Sequence, residues 1–253
     1  MIQSLYTGAS AMTSQMRNID SIANNIANIS TTGFKKSRVD FKDALYGRMI
    51  SPVDNSAARN LERGVGVGVM QTMRVFSQGS LDQTGGSLDF AVEGEGFFTL
   101  QTPNGDTVYE RGGSFHVSVE AEGNYLVNSA GYYALDNNGQ RVRLEGSDGD
   151  VMVQENGEIA FRNSPARTQL GIVTFSNPAG LEGVGQSMYR VSENSGEAVA
   201  ADKFRIHQGY IEASNVDLGE EMARMVRAQR AYQFASRCIS TADQMAQLAN
   251  TLR

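Results

Sequence analysis

Hydrophobic positions at the two ends of the chain follow a helical period, while those in the middle alternate. Ile2, Leu5, Ala9, Met12, Met16, Ile19, Ala23 and Ile26 step by three and four residues for more than three heptads. That spacing predicts a helix with a narrow apolar seam of the coiled-coil kind. The pattern stops at Ser30-Thr31-Thr32-Gly33, where glycine can take the left-handed conformation that closes a helix. At the other end Leu218, Met222, Met225, Tyr232, Ala235, Ile239, Ala242, Ala246 and Ala249 keep near-heptad spacing, with Gln229 in one core slot. Asp217 and Glu220 resemble a capping box ahead of a helix predicted over about 216–252. At about 1.5 Å per residue it is roughly 55 Å long.

Between the helices, alternation in Asp89–Leu100, Val108–Val119 and Gln169–Phe175 predicts strands. Asn104-Gly105, Asn138-Gly139, Asp148-Gly149 and Asn156-Gly157 predict hairpin turns, so seven or more short antiparallel strands are expected. All four prolines and 23 of the 27 glycines fall within 49–214, leaving the ends nearly free of helix breakers. The stretch 49–70 is polar and then glycine-rich, and reads as an extended arm. The expected fold class is α+β, with long N- and C-terminal helices pairing as a coiled coil and a mainly antiparallel β domain in the middle. The expected boundaries are a helical domain of 1–34 with 215–253, an extended linker over 35–75, and a β-rich domain over 76–214. A lone narrow-seam helix is marginal in water, so the seams must pack on each other, on other chains, or on both.

Composition narrows the chemistry. With 253 residues, 40% hydrophobic and 20% charged, the chain can bury a sizeable core. Cys238 alone cannot form an internal disulfide, and His116 and His207 lie far apart, so neither a metal site nor a cofactor is expected. No apolar run approaches the ~18 residues of a membrane span, and the start has neither a basic region nor an apolar core, so neither an integral membrane segment nor a cleavable signal peptide is expected. Net charge is −6, unevenly spread: +3 over 1–48, +1 over 215–253, and −10 over 49–214, where 21 acidic side chains face 11 basic ones. A middle that acidic argues against a nucleic-acid groove.

Candidate catalytic motifs are weak. The Gly64-Val-Gly66-Val-Gly68 run has neither GxGxxG spacing nor a following GK[ST], and reads as an extended strand. Glu93 and Glu95 flank Gly94, a chance pairing among 21 carboxylates, and there is no G-x-S-x-G elbow. His116 and His207 read as structural and Cys238 as a small packing residue, so no enzyme activity is expected. Asn24, Asn25 and Asn28 are poor helix formers close to the seam, and are expected to bond to a neighbouring chain or to the loop that follows.

The run Ala23-Asn24-Asn25-Ile26-Ala27-Asn28, continued by Ser30-Thr31-Thr32-Gly33-Phe34-Lys35, resembles the N-terminal signature of bacterial flagellar rod and hook proteins. Ser214-Asn215-Val216-Asp217-Leu218, Glu221-Met222 and Ala228-Gln229-Arg230-Ala231-Tyr232 resemble the C-terminal one. Ser77-Gln78-Gly79 and Leu88–Phe98 look like the start of the family's β domain, so the resemblance spans the chain. A hook subunit is longer; the chain looks most like the distal-rod subunit, with a proximal-rod subunit second. The resemblance implies a coiled-coil inner domain, an outer β domain, and a rod-type insertion at about 47–70. It implies a structural subunit that polymerises into a rigid hollow shaft, transmitting torque and passing exported subunits. The implied partners are further copies in a helical filament, other rod subunits, the hook protein, rod-surrounding rings and the flagellar type III export apparatus. The implied location is the basal body in the cell envelope, reached without a cleaved signal. The assembly seam is then Ile2, Leu5, Met12, Met16, Ile19 and Ile26 with Met222, Met225, Tyr232 and Ile239. A reading from another class is a β-rich surface binding module with a helical stalk, which needs only one long helix per chain.

Overall fold

The computed structural model describes residues 2–45, 47–48, 62–121, 123–144, 151–161 and 164–251. The Asp148-Gly149 turn, most of the arm at 49–70 and the side chain of Ile2 lie outside the described residues. Two helices, α1 (Ile2–Ala27) and α2 (Leu218–Thr251), bracket a mainly antiparallel β region. The chain divides into a helical unit of Met1–Ala27, Ser37–Arg74 and Asp217–Arg253, and a β unit of Asn28–Lys36 and Val75–Val216.

In the helical unit α1 and α2 lie antiparallel, with Gly8 against Ile239 and Asn25 against Glu221. Gly8 permits this approach, since a Cβ there would sit 2.7 Å from Ile239 Cγ1. The strands Ser37–Asp43 and Val67–Arg74 pair antiparallel, Arg38 opposite Met73, with a register slip between Asp40 and Phe41. The glycine-rich run thus leads into a strand, as its alternation predicts. Small hydroxyl side chains bring α1 onto this ribbon. Ser10 and Ser14 donate to the Val67 carbonyl, and Ser21 donates to that of Ser37 at 3.4 Å.

In the β unit, Phe97–Gln101 pairs with Thr107–Glu110 on one side and with Ile172–Thr174 and Tyr133–Ala134 on the other. Phe90–Gly94 pairs with Phe204–Gln208, placing Val92 opposite Ile206. The inward residues of these strands, among them Phe90, Val92, Leu100, Leu126 and Ile206, form the main core, and Phe97, Tyr109, Phe175 and Tyr189 form a second aromatic cluster. The Asn-Gly turns at 104–105, 138–139 and 156–157 each place glycine at positive φ between strand or bridge partners.

All three expected strands are broken, Gln169–Phe175 between Ser164–Gln169 and Ile172–Thr174. Asp89–Leu100 forms two strands, Phe90–Gly94 and Phe97–Gln101, because Gly94 turns the chain at φ 101° and the Arg111 guanidinium takes the Gly94 and Gly96 carbonyls. Val108–Val119 is likewise parted at Arg111-Gly112-Gly113. Gly113 is needed there, since a Cβ would lie 1.5 Å from the Phe90 carbonyl oxygen.

The break positions a buried ion cluster. Glu212 is fully buried; its Oε1 accepts from Lys35 Nζ at 2.6 Å and from the Gly79 amide at 2.8 Å, and its Oε2 accepts from Arg111 Nε at 2.6 Å. Lys35 also donates to the Ser77 carbonyl. One carboxylate faces two cations, and the carbonyls of Ser77, Gly94 and Gly96 supply the remaining negative ends. Burial pulls the Lys35 ammonium below its ordinary range, and Glu212 opposes that shift.

Removing the shared carboxylate leaves two cations buried without a counter-charge. Glu212→Ala is expected to destabilise the β unit by about 3–5 kcal/mol, read as a lowered denaturation midpoint of the full chain; a loss under about 1 kcal/mol contradicts the cluster's role. A second buried carboxylate, Glu110, has Asn128 Nδ2 at 2.7 Å, and burial raises its pKa from 4.5 to about 7. Its folded pKa exceeds the unfolded one, so its contribution is full below about pH 4.5 and is lost as pH rises through about 7. We expect the β unit to lose on the order of 3 kcal/mol between pH 5 and pH 8, and Glu110→Gln to flatten that slope in urea titrations. An unchanged slope in the variant contradicts this.

Candidate assembly surface

The family-like asparagines fall at specific joints. Asn25 is 1% exposed and its amide pairs with the Ser37 backbone as a strand neighbour does: Nδ2 donates to the carbonyl and Oδ1 accepts from the N–H, both at 2.8 Å. Nδ2 also donates to Glu221 Oε2 at 3.1 Å. One side chain thus ties α1, the ribbon and α2 within the helical unit. Asn28 accepts from the Thr31 hydroxyl, while Asn24 is exposed. In the β unit Asn215 accepts from the Lys36 amide and donates to the Val75 and Ser77 carbonyls. Gly33 has φ 66° and hydrogen-bonds the Glu212 carbonyl, and a Cβ there would lie 2.4 Å from the Gly112 nitrogen. Phe34 is half-buried beside it, its carbonyl accepting from the Asn215 amide, and Ser214 Oγ accepts from the Val216 amide. Asp217 caps α2, its Oδ1 accepting from the Glu220 amide at 2.9 Å.

The expected seam sits to one side of the helix pairing. On α1 the face toward α2 carries Gly8, Ile22 and Asn25, one residue before the seam positions Ala9, Ala23 and Ile26. One residue is about 100° around a helix. Leu5, Met12, Ile19 and Ile26 are therefore half-buried, and Met16 is 54% exposed. On α2, Met225, Tyr232 and Ile239 are half-buried, while Met222 is exposed, its inward place taken by the buried Glu221. Gln229 and Arg230 also face outward, with Ala228 buried instead of Gln229. Val226, Phe234, Met245 and Leu248 of α2 are exposed as well. Cys238, expected to pack, is exposed.

The three motifs match known families in chain order: a flagella basal body rod protein family over residues 5–35, a flagellar hook protein FlgE/F/G D1 domain over 91–161, and a flagellar basal body rod FlgEFG protein C-terminal family over 207–252. The flagellar basal-body rod protein FlgG of Borreliella burgdorferi is 37% identical over 100% of this chain and 99% of its own length. That of Bacillus subtilis is 34% identical over 98% and 97%, and the flagellar hook-basal body complex protein FlhP of the same organism is 32% identical over all of both chains. The chain belongs to the flagellar basal-body rod protein family.

The rod-family match at residues 5–35 contains Asn25, Gly33 and Lys35, and the match at 207–252 contains Glu212, Asn215 and Glu221. These residues join the chain's two ends within each unit, whereas Asn24, Met222, Gln229 and Arg230 of the same motifs are exposed. Two features escaped sequence reasoning. Glu212 and Arg111 lie outside the short runs that signalled the resemblance, and the exposed pair of His207 Nε2 with Glu93 Oε2 at 2.8 Å depends on strand register; that hydrogen bond lowers the Glu93 pKa. No described helix is long and apolar enough to cross a membrane.

Asn25→Ala removes the partners of two Ser37 backbone groups and of Glu221. It is expected to cost the helical unit about 2–4 kcal/mol, seen as earlier loss of helix signal on heating. Helix melting unchanged from the native chain contradicts the assignment.

Proposed function

We propose that this rod-family protein is a distal-rod subunit that polymerises helically through its terminal helices. The observation that carries the reading is apolar surface left over after α1 and α2 have paired: Met16, Met222, Val226, Phe234, Met245 and Leu248 are each more than 40% exposed. Large apolar side chains left exposed along a helix pair offer an interaction surface where they adjoin one another. Two helices with outward apolar stripes can each engage further copies, and heterologous contacts of that kind continue without closing into a ring. In this reading the terminal helices form the coiled-coil inner domain of the assembled shaft and residues 76–214 its outer domain. The assembled shaft is rigid and hollow; it transmits torque and conducts exported subunits, and its role is mechanical rather than enzymatic. Its partners are other rod subunits, the hook protein, the surrounding rings and the export apparatus, in the basal body of the cell envelope. The full-length similarity to proteins named FlgG supports the distal position.

The two seam classes separate in a test. Met16→Asp lies on exposed surface, so helix content and unfolding should stay within about 1 kcal/mol of the native chain while rods fail to form. Ile239→Asp introduces a charge beside Gly8 and should also destabilise the helical unit. The readout is motility and isolated basal bodies from cells carrying each variant as their sole copy. Motile cells with complete rods bearing Met16→Asp contradict the proposal.

A further inference from the structure

We infer that a cleft in the helical unit docks an acidic turn from the β unit of a second copy, namely the turn at residues 193–197. This rests on the self-assembly reading above. The cleft, of about 310 Å3, lies between the C-terminal half of α1, the N-terminal half of α2 and the start of the Ser37–Asp43 strand. One wall is Glu221, which is fully buried. Its Oε2 accepts from Asn25; its buried Oε1 forms an ion pair with the Arg224 guanidinium at 3.4 Å but, among the described residues, has no hydrogen-bond donor. A buried carboxylate oxygen without a donor is unfavourable, so the site favours an occupant that brings an N–H.

The rest of the lining selects against a cation. Arg38, Arg224 and Arg227 line the cleft against the single carboxylate of Glu221. Arg38 is shared with Asp40, Arg224 with Glu220, and Arg227 Nε reaches back to the Ala223 carbonyl at 3.3 Å. The matching group is an amide donor flanked by carboxylates. The charge of the two units points to the same partner. The helical unit has 12 basic and 9 acidic side chains, net +3, and the β unit 10 and 19, net −9. Opposite net charges draw the helical unit of one copy toward the β unit of another.

Among the acidic turns of the β unit, two carry carboxylates on both sides of an asparagine: Glu155-Asn156-Gly157-Glu158 and Glu193-Asn194-Ser195-Gly196-Glu197. Glu158 is already paired with Arg167 at 3.0 Å, and Asn156 Oδ1 holds its own turn through the Glu158 amide. Glu193, Asn194 and Glu197 are exposed, and the turn that carries them is fixed from below. Buried Ser195 accepts from the Ser192 amide and lies within hydrogen-bond distance of the Ser192 and Gly196 carbonyls. A turn already ordered loses little freedom on docking. Asn194 then stands at the Glu221 wall, reaching Oε1 once the Arg224 side chain swings toward the incoming carboxylates, and Glu193 and Glu197 face the arginines.

The test uses the full chain with Arg227→Glu, Glu193→Arg and the two combined; both side chains are exposed, so folding is preserved. Assembly is read by sedimentation at about 0.05 M salt, where screening is weak. Each single charge reversal is expected to lower the sedimenting fraction about fivefold, and the combination to return it to within about twofold of the native chain. In mixtures of light and isotope-heavy Arg227→Lys chains, carbodiimide should join the substituted side chain to Glu193 or Glu197 in mixed-isotope peptides. Single reversals that assemble like the native chain, or a double variant no better than either single, overturn the cleft assignment and leave self-assembly standing. A native chain that never sediments overturns both readings.

Discussion

Glu212 sits where three stretches of chain, distant in sequence, have to converge. Its carboxylate collects Lys35 from the segment just after α1, Arg111 from the turn between two core strands, and the Gly79 amide from the entry to the β unit. Arg111 then reaches on to the Gly94 and Gly96 carbonyls, and so holds open the break that divides a would-be continuous strand. In a low-dielectric interior none of these charges is tolerable alone. The cluster therefore forms as a set, and it fixes where the chain leaves and re-enters the β unit.

A related logic operates in the helical unit with neutral groups. Asn25 imitates a strand partner for Ser37 and also meets Glu221, so that one amide sets the position of α1 against both the ribbon and α2. Small residues do the rest: Gly8 admits Ile239, and serines lay α1 along the ribbon. Because polar and small side chains together with Ile22 occupy these two faces of α1, the heptad-spaced apolar residues are turned toward a third, where Met16 meets solvent. Local packing thus leaves an outward apolar stripe available to another molecule.

That division explains what could be read in advance. Heptad spacing located both helices to within a few residues, and Asn-Gly pairs located the turns, because each signal is local. The side of α1 that faces α2 was not readable from hydrophobicity, since Gly8 and Asn25 outrank Ala9 and Ile26 there through close approach and hydrogen bonding. The strand breaks at Gly94 and at Arg111–Gly113 likewise depend on Arg111 and on a carbonyl brought close by folding. Of the asparagines, Asn28 meets the loop after α1 through Thr31, while Asn25 meets the first residue of the next strand, and Glu212 and Glu221 matter through partners 101 to 196 residues away.

The joints at Glu212 and Asn25 are complete in the single chain, whereas the proposed assembly needs other copies to cover the outward faces of α1 and α2. Amide hydrogen exchange on the full chain, dilute and then sedimented, tests this directly. Residues 28–36 and 210–216 are expected to be protected already in the dilute chain and to change little, whereas α1 and α2 gain protection on assembly. Protection gained chiefly at 28–36 and 210–216, with the helices unchanged, would contradict it.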